Sequence, residues 1–168
     1  MRACVVPGGS WVIFRDPLSG TAGRSYMPVD AESGTVQMLE NVSLADRTSL
    51  RIGGEARFLC EPGDVEQLGR AVSWAVQRRV PVMALGRGTN VLISDRGWPG
   101  LVVLTAGALG TLRWEGQGAH CGSGMLLNAL VRQSVERGLS GLENLAGIPG
   151  SVGGAVVMNA GAFGQEIG

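Results

Sequence analysis

The chain has 168 residues, enough for one domain with a buried core; 45% of them are hydrophobic and only 17% are charged. That balance excludes an intrinsically disordered chain. Equal numbers of basic and acidic residues, 14 each, argue against a protein that coats DNA or RNA. Glycine is unusually abundant, at 28 residues without a G-X-Y period, so we expect many tight turns or a backbone that approaches a ligand.

The cysteines and the single histidine predict neither a metal site nor a disulfide framework. Cys4, Cys60 and Cys121 are odd in number and widely spaced, and His120 has no second histidine to pair with. We expect Cys60, Cys121 and His120 to be structural. No stretch approaches the ~18 apolar residues of a membrane span. The turn Pro7–Gly9 interrupts the apolar start too early for a signal peptide, so we expect a cytoplasmic protein.

Residues 1–40 show weak periodicity and many turn formers, which predicts a poorly ordered N-terminal extension. A short strand is expected within it at Trp11–Phe14. Met27 is an alternative start of translation. Clear order is predicted to begin after Asn41.

Residues 41–105 are predicted to form a first α/β subdomain. A strand over Ala56–Glu61 precedes a turn, and Asp64 with Gln67 resembles a capping box that opens a helix. Apolar residues at helical spacing continue that helix to Val76.

The helix is predicted to end with Arg78 and Arg79 in its last turn, where cations suit the helix dipole. Val80–Leu85 and Leu101–Thr105 are predicted strands. A second apolar run, Val91–Ile93, lies between them.

Residues 106–168 are predicted to begin a second subdomain. Thr111–Glu115 and Ala119–Cys121 are expected to be short strands joined by a glycine turn. A helix is predicted from Leu126 to a glycine C-cap at Gly138. The chain ends shortly after a glycine-rich, nearly uncharged segment, so we expect this subdomain to be C-terminally incomplete.

The loop Gly86–Asn90 follows a predicted strand and has the composition of an anion-binding turn. Its glycines let main-chain N–H groups converge, and Thr89 adds a hydroxyl. It is neither a G-x-G-x-x-G fingerprint nor a P-loop. A plain turn with a solvated Arg87 is the alternative interpretation.

The segment 147–164 offers the same chemistry on a larger scale. Ser151 is expected to cap a short helix that runs through Val157, and a helix N-terminus attracts anions without a lysine. Close helix packing through small residues is an equally good interpretation of these glycines.

Taken together, these segments resemble the UDP-N-acetylenolpyruvoylglucosamine reductase family (UDP-N-acetylmuramate dehydrogenase, MurB family). The resemblance runs from about Asn41 to Gly168. It is carried by the order and spacing of four stretches: Thr48–Gly54, Leu85–Leu92, Gly141–Gly154 and Met158–Glu166.

The resemblance implies an α+β fold, the FAD-binding domain of the PCMH/vanillyl-alcohol-oxidase type, with the flavin between two α+β subdomains. It implies contacts to FAD from two sets of residues. These are Gly86, Arg87, Gly88, Thr89, Asn90, Val91 and Leu92, at the pyrophosphate, and Ala146, Gly147, Pro149, Gly150, Ser151, Gly153, Gly154, Val157 and Gly161 on the other side of the cofactor.

The resemblance also implies a reaction of peptidoglycan precursor synthesis. NADPH reduces the flavin, which then reduces the enolpyruvyl group of a UDP-sugar to give UDP-N-acetylmuramate. Phe163 is expected on the substrate side, where the family more often has tyrosine. The family's catalytic serine, arginine and glutamate lie downstream of this segment, so no catalytic residue is carried over. We therefore expect the FAD-binding part of a reductase that does not turn over alone.

Two alternatives remain open. One is a non-catalytic flavin-binding fragment, and the other is an oxidoreductase of the same superfamily that acts on another substrate. A nucleic acid, a membrane and an obligate protein partner are not expected in any of these cases.

Overall fold

The structure, a computed structural model, describes residues 26–29 and 36–167. It is a mixed α+β fold, as predicted. The elements, in chain order, are strands β1 (Tyr26–Val29), β2 (Val36–Ser43) and β3 (Glu55–Cys60), helix α1 (Val65–Gln77), strands β4 (Val82–Leu85), β5 (Trp98–Leu104), β6 (Leu112–Glu115) and β7 (Gly118–Cys121), helices α2 (Leu127–Glu136) and α3 (Val152–Val157), and strands β8 (Gly161–Ala162) and β9 (Gln165–Glu166). Two 3-10 turns, Ala45–Arg47 and Glu143–Leu145, complete them.

Strands β1 to β5 form one mixed sheet in the order β1-β2-β3-β5-β4. β3, β5 and β4 run parallel, whereas β1 and β2 pair antiparallel with their neighbours. β5 lies between β3 and β4 and is buried on both faces, as its nearly continuous apolar sequence requires. Leu101 and Val103 face a core completed by α1, and Val102 and Leu104 face the opposite core.

The beginning of α1 follows the predicted capping pattern. The Asp64 carboxylate accepts a hydrogen bond from the Gln67 N–H at 2.7 Å, and the Gln67 side chain accepts one from the Gly63 N–H at 2.9 Å. The helix ends at Gln77, so Arg78 is its C-cap rather than part of its last turn. The guanidinium of Arg78 lies 5.0 Å from the centre of the Trp74 ring.

The predicted N-terminal extension is wrong for the residues that the structure describes before Asn41. β1 and most of β2 lie there, and Val36 and Met38 belong to the core shared with α1. The pairing of β2 with β3 provides the order that local periodicity did not indicate. Trp11–Phe14 lies outside the described residues. The apolar run Val91–Ile93 forms no strand, and its Ile93 side chain is buried against the sheet instead.

The second part of the chain is built around a separate core. The hairpin β6–β7, helix α2 and helix α3 surround Leu127, Val131, Leu145 and Val152. Helix α2 ends at Glu136 and its C-cap is Arg137 rather than the predicted Gly138. Gly138 follows the C-cap with a φ of +71° and an N–H bond to the Val135 carbonyl, which terminate the helix. Within the described residues no helix is long and apolar enough to cross a membrane.

The two described cysteines are free thiols in different environments. Burial, followed by the charge of Glu61, raises the pKa of the Cys60 thiol from 9.0 to about 11. Burial also raises the pKa of Cys121, which is only half-buried.

We expect Cys60 to resist alkylation in the folded protein. At pH 8 its raised pKa leaves roughly a hundredfold less thiolate than an ordinary thiol, and its side chain is shielded from the reagent. Mass spectrometry of a Cys4→Ser variant treated with iodoacetamide should show Cys121 labelled first. Equal labelling rates at the two cysteines in the native protein would contradict this expectation.

Candidate functional site

The loop Gly86–Asn90 leaves the carboxyl end of β4 and packs directly on the turn that follows the first 3-10 helix. Gly88 is buried with a φ of +61°, and a Cβ there would lie 2.1 Å from the Arg47 carbonyl oxygen. The Gly88 carbonyl accepts a hydrogen bond from the Ser49 N–H at 3.0 Å. Only glycine fits this contact, because the position demands both a left-handed backbone and the absence of a side chain.

Four main-chain N–H groups of this loop have no partner in the described part of the protein. Among the described residues, those of Arg87, Gly88, Thr89 and Asn90 donate to no protein acceptor. Consecutive unpaired N–H groups in a glycine turn attract an anion. The loop therefore has the donor set that a phosphate group requires.

The second predicted segment is held by main-chain pairing and by a helix cap. Ser151 forms an antiparallel bridge with Leu126, and its hydroxyl accepts a hydrogen bond from the Gly154 N–H at 3.3 Å. The short helix α3 that follows confirms the predicted cap. A Cβ at Gly153 would lie 2.7 Å from the Cβ of Ser123, so close packing accounts for that glycine.

The two predicted segments meet in space, although 60 residues separate them in sequence. The Thr89 hydroxyl donates to the Pro149 carbonyl at 3.2 Å. A Cβ at Gly86 would lie 2.5 Å from the Ser151 hydroxyl oxygen, and one at Gly150 would lie 3.0 Å from the Thr89 hydroxyl oxygen. The glycines thus allow the loop Gly86–Asn90 and the segment before α3 to approach closely.

The remaining predicted contacts are distributed around this junction. Val91 and Leu92 are half-buried, whereas Ala146, Gly147 and Val157 are exposed. Gly161 lies in the hairpin β8–β9, whose turn carries Phe163 with 89% of its surface exposed and a φ of +53°. No hydrogen bond in the described part of the chain joins these outer residues to the loop Gly86–Asn90.

The second 3-10 turn connects the hairpin β8–β9 to the segment before α3. The Glu143 carboxylate accepts a hydrogen bond from the Gly141 N–H at 2.7 Å, and the Gln165 side-chain amide donates to the Gly141 carbonyl. Hydrogen bonds from its own N–H and from that of Gly141 hold the pKa of the Glu143 carboxyl below its ordinary value. Glu143 thus remains ionised and holds the turn that leads to Ala146.

Sequence reasoning missed one component of the site. A cavity of about 460 Å³ lies between the loop Gly86–Asn90 and the turn after the first 3-10 helix. Its lining is mostly polar or charged and consists of Asp46, Arg47, Thr48, Ser49, Arg51, Glu61, Gly86, Arg87, Leu104 and Ala106. The stretch Thr48–Gly54 had a recognisable turn composition, but nothing in it indicated contact with the loop. Within the described residues no cluster of side chains has the composition of a metal site.

The family known as the FAD binding domain matches residues 56–168, which is most of the chain and includes both segments of the site. The chain belongs to this family. The chain is also similar to named reductases. It is 45% identical over 135 residues to the UDP-N-acetylenolpyruvoylglucosamine reductase of Synechococcus sp. (strain JA-3-3Ab), a match that covers 80% of this chain and 43% of that protein.

Two further comparisons agree. The enzyme of the same name from Syntrophotalea carbinolica is 46% identical, over 74% of this chain and 42% of its own. The crystal structure of UDP-N-acetylenolpyruvylglucosamine reductase (MurB) from Thermus caldophilus is 43% identical, with a TM-score of 0.63, over 76% of this chain and 44% of that one. The predicted resemblance is confirmed, and the chain spans less than half the length of these relatives.

Proposed function

We propose that the chain binds FAD at the junction of the loop Gly86–Asn90 with the segment Ala146–Gly154. The observation that carries the proposal is the hydrogen bond between Thr89 and Pro149, beside four unpaired N–H groups, in a chain of the FAD binding domain family. When bound, the flavin supplies hydride transfer, which no protein side chain can perform.

The residues of the site have distinct tasks in this proposal. The N–H groups of Arg87 to Asn90 bind the pyrophosphate, and Gly88 keeps that main chain close to the ligand. The glycines before α3 admit the cofactor on its other side, and Ser151 fixes the helix start by capping it. The exposed side chains of Val157 and Phe163 provide apolar surface at the outer end of the site, toward the substrate.

We further propose that the chain provides the FAD-binding part of a reductase of cell-wall precursor synthesis. The proposed reaction is the one for which its relatives are named. NADPH is the proposed reductant, a UDP-sugar with an enolpyruvyl group is the proposed substrate, and the cytoplasm is the proposed compartment. The proposal includes no turnover by this chain alone. Two reductases support the proposal. The chain is 45% and 46% identical in sequence to them, and it spans 43% and 42% of their lengths.

We expect the purified chain to bind about one FAD, with quenched flavin fluorescence. Saturating ligand should raise its melting temperature, because FAD at ~100 times Kd adds about 2.7 kcal/mol to the free energy of unfolding. A Thr89→Val variant should bind FAD about five- to tenfold more weakly, since it loses one hydrogen bond between the two segments, while Thr89→Ser keeps it.

A matched control for this titration is Thr111→Val, which removes an exposed hydroxyl away from the site. It should leave the affinity for FAD unchanged. A native chain that is folded and binds no FAD would contradict the proposal. NADPH-dependent reduction of the enolpyruvyl substrate by the chain alone would contradict only the proposed lack of turnover.

A further inference from the structure

We infer that Arg47 and Arg51, together with Arg87, form the electrostatic part of a subsite for the phosphate groups of the ADP half of FAD. This inference rests on the proposed function and adds residues to it. Arg47 and Arg51 lie before residue 56, where the match to the FAD binding domain family begins. They are brought to the site by the fold of the turn at residues 47–52.

The position of that turn is set by hydrogen bonds on both sides. The buried Thr48 hydroxyl lies within hydrogen-bond distance of the Ile52 carbonyl at 3.1 Å, and the Arg51 N–H donates to the Thr48 carbonyl at 3.1 Å. The Ser49 N–H bond to Gly88 joins the closed turn to the loop Gly86–Asn90. Arg51 and Arg87 therefore line the same cavity, although one precedes β3 and the other follows β4.

The arginines that line the cavity form no direct ion pairs in the part of the chain that the structure describes. Within the described residues none of Arg47, Arg51 and Arg87 forms an ion pair with a carboxylate. By contrast, Arg70 and Arg132 each pair with a glutamate on their own helix. Two carboxylates, those of Asp46 and Glu61, also line the cavity, so its formal charge is +1 beside the unpaired N–H groups. This combination suits the pyrophosphate of FAD, which carries one negative charge on each phosphate.

The backbone at Arg51 provides an independent indication of function. Its φ of +53° lies in the left-handed region, which arginine rarely adopts and which glycine or asparagine would adopt with less strain. Backbone strain of this kind is concentrated at functional sites. Arg51 lines the cavity, and binding a phosphate there is the task that we assign to it.

The decisive experiment compares ligands with and without phosphate. FAD, ADP and riboflavin are titrated into the native chain and into Arg47→Gln, Arg51→Gln and the double variant, at low and high salt. Each single variant should weaken FAD and ADP about three- to tenfold, and the double variant by roughly the product, with a shallower dependence on salt. Riboflavin, which lacks phosphate, should bind the native chain and the variants equally.

Two further variants separate binding from folding. Arg132→Gln removes the same charge from α2, away from the cavity, and should leave all three affinities unchanged. Arg51→Gly relieves the left-handed strain, so its melting temperature should equal or exceed that of the native chain while its affinity for FAD falls. If Arg51 had only a structural role, the melting temperature and the affinity for FAD would change together.

Failure of the inference and failure of the proposed function give different results. If the double variant binds FAD and ADP with native affinity, the inference about the arginines is wrong and the proposed binding of FAD stands. A native chain that binds no FAD overturns the proposed function, and the ADP titration then decides the subsite. Arginine-dependent binding of ADP supports it, and absence of ADP binding overturns it.

Discussion

A Gly88→Val variant is expected to lose FAD binding together with much of its stability. A Cβ at this position would lie 2.1 Å from the Arg47 carbonyl oxygen and 2.9 Å from the Thr48 Cα, and the φ of +61° is unfavourable for a β-branched residue. Left-handed strain and overpacking together should lower the free energy of unfolding by about 3 kcal/mol or more. Urea denaturation followed by circular dichroism measures that loss, and FAD titration measures the loss of binding.

The chain contains a suitable control for this substitution. Gly69 lies in the middle of α1, and a Cβ there would meet no atom within 4 Å. Gly69→Ala should therefore raise the free energy of unfolding by about 0.5–1 kcal/mol, as expected when alanine replaces glycine in a helix. An unchanged urea midpoint for Gly88→Val would show that the loop Gly86–Asn90 does not pack on Arg47 as described.

Features determined by neighbouring residues were predictable from the sequence. The start of α1 depends on hydrogen bonds within four residues, between Gly63, Asp64 and Gln67, and the start of α3 depends on Ser151 and Gly154. Such caps need no tertiary partner, so composition and spacing indicate them directly. The left-handed Gly138 that follows the C-cap of α2 belongs to the same class.

Features determined by distant residues were not predictable in this way. β2 is ordered by its pairing with β3, and the turn at residues 47–52 is ordered against Gly88. The sequence indicated two separate glycine-rich segments, but their contact through Thr89 and Pro149 depends on the path of the chain between these two residues. The cavity was not predicted, for the same reason. Its arginines come from two segments that are distant in sequence, the turn at residues 47–52 and the loop Gly86–Asn90.

Strand β2 also contributes residues to the core of the molecule. In β2, Val36 and Met38 are buried while Gln37 between them is exposed, so the strand presents one apolar face to α1. Opposite Met38 in the β2–β3 ladder stands Cys60, and the Phe58 ring meets that of Trp74 edge-to-face at 5.0 Å in the same core. The core over α1 therefore includes residues that precede the family match.

A Met38→Ala variant tests that role of β2. Met38 is fully buried, so truncation removes its packing against the α1 core and leaves a cavity; the free energy of unfolding should fall by about 2–5 kcal/mol. Val65→Ala is the matched control, because Val65 is 74% exposed at the start of α1 and its truncation should cost less than about 0.5 kcal/mol. Urea midpoints of the two variants provide the comparison. Equal midpoints would mean that residues before Asn41 contribute no packing to the core, and the initial prediction of an N-terminal extension would then hold for β2 after all.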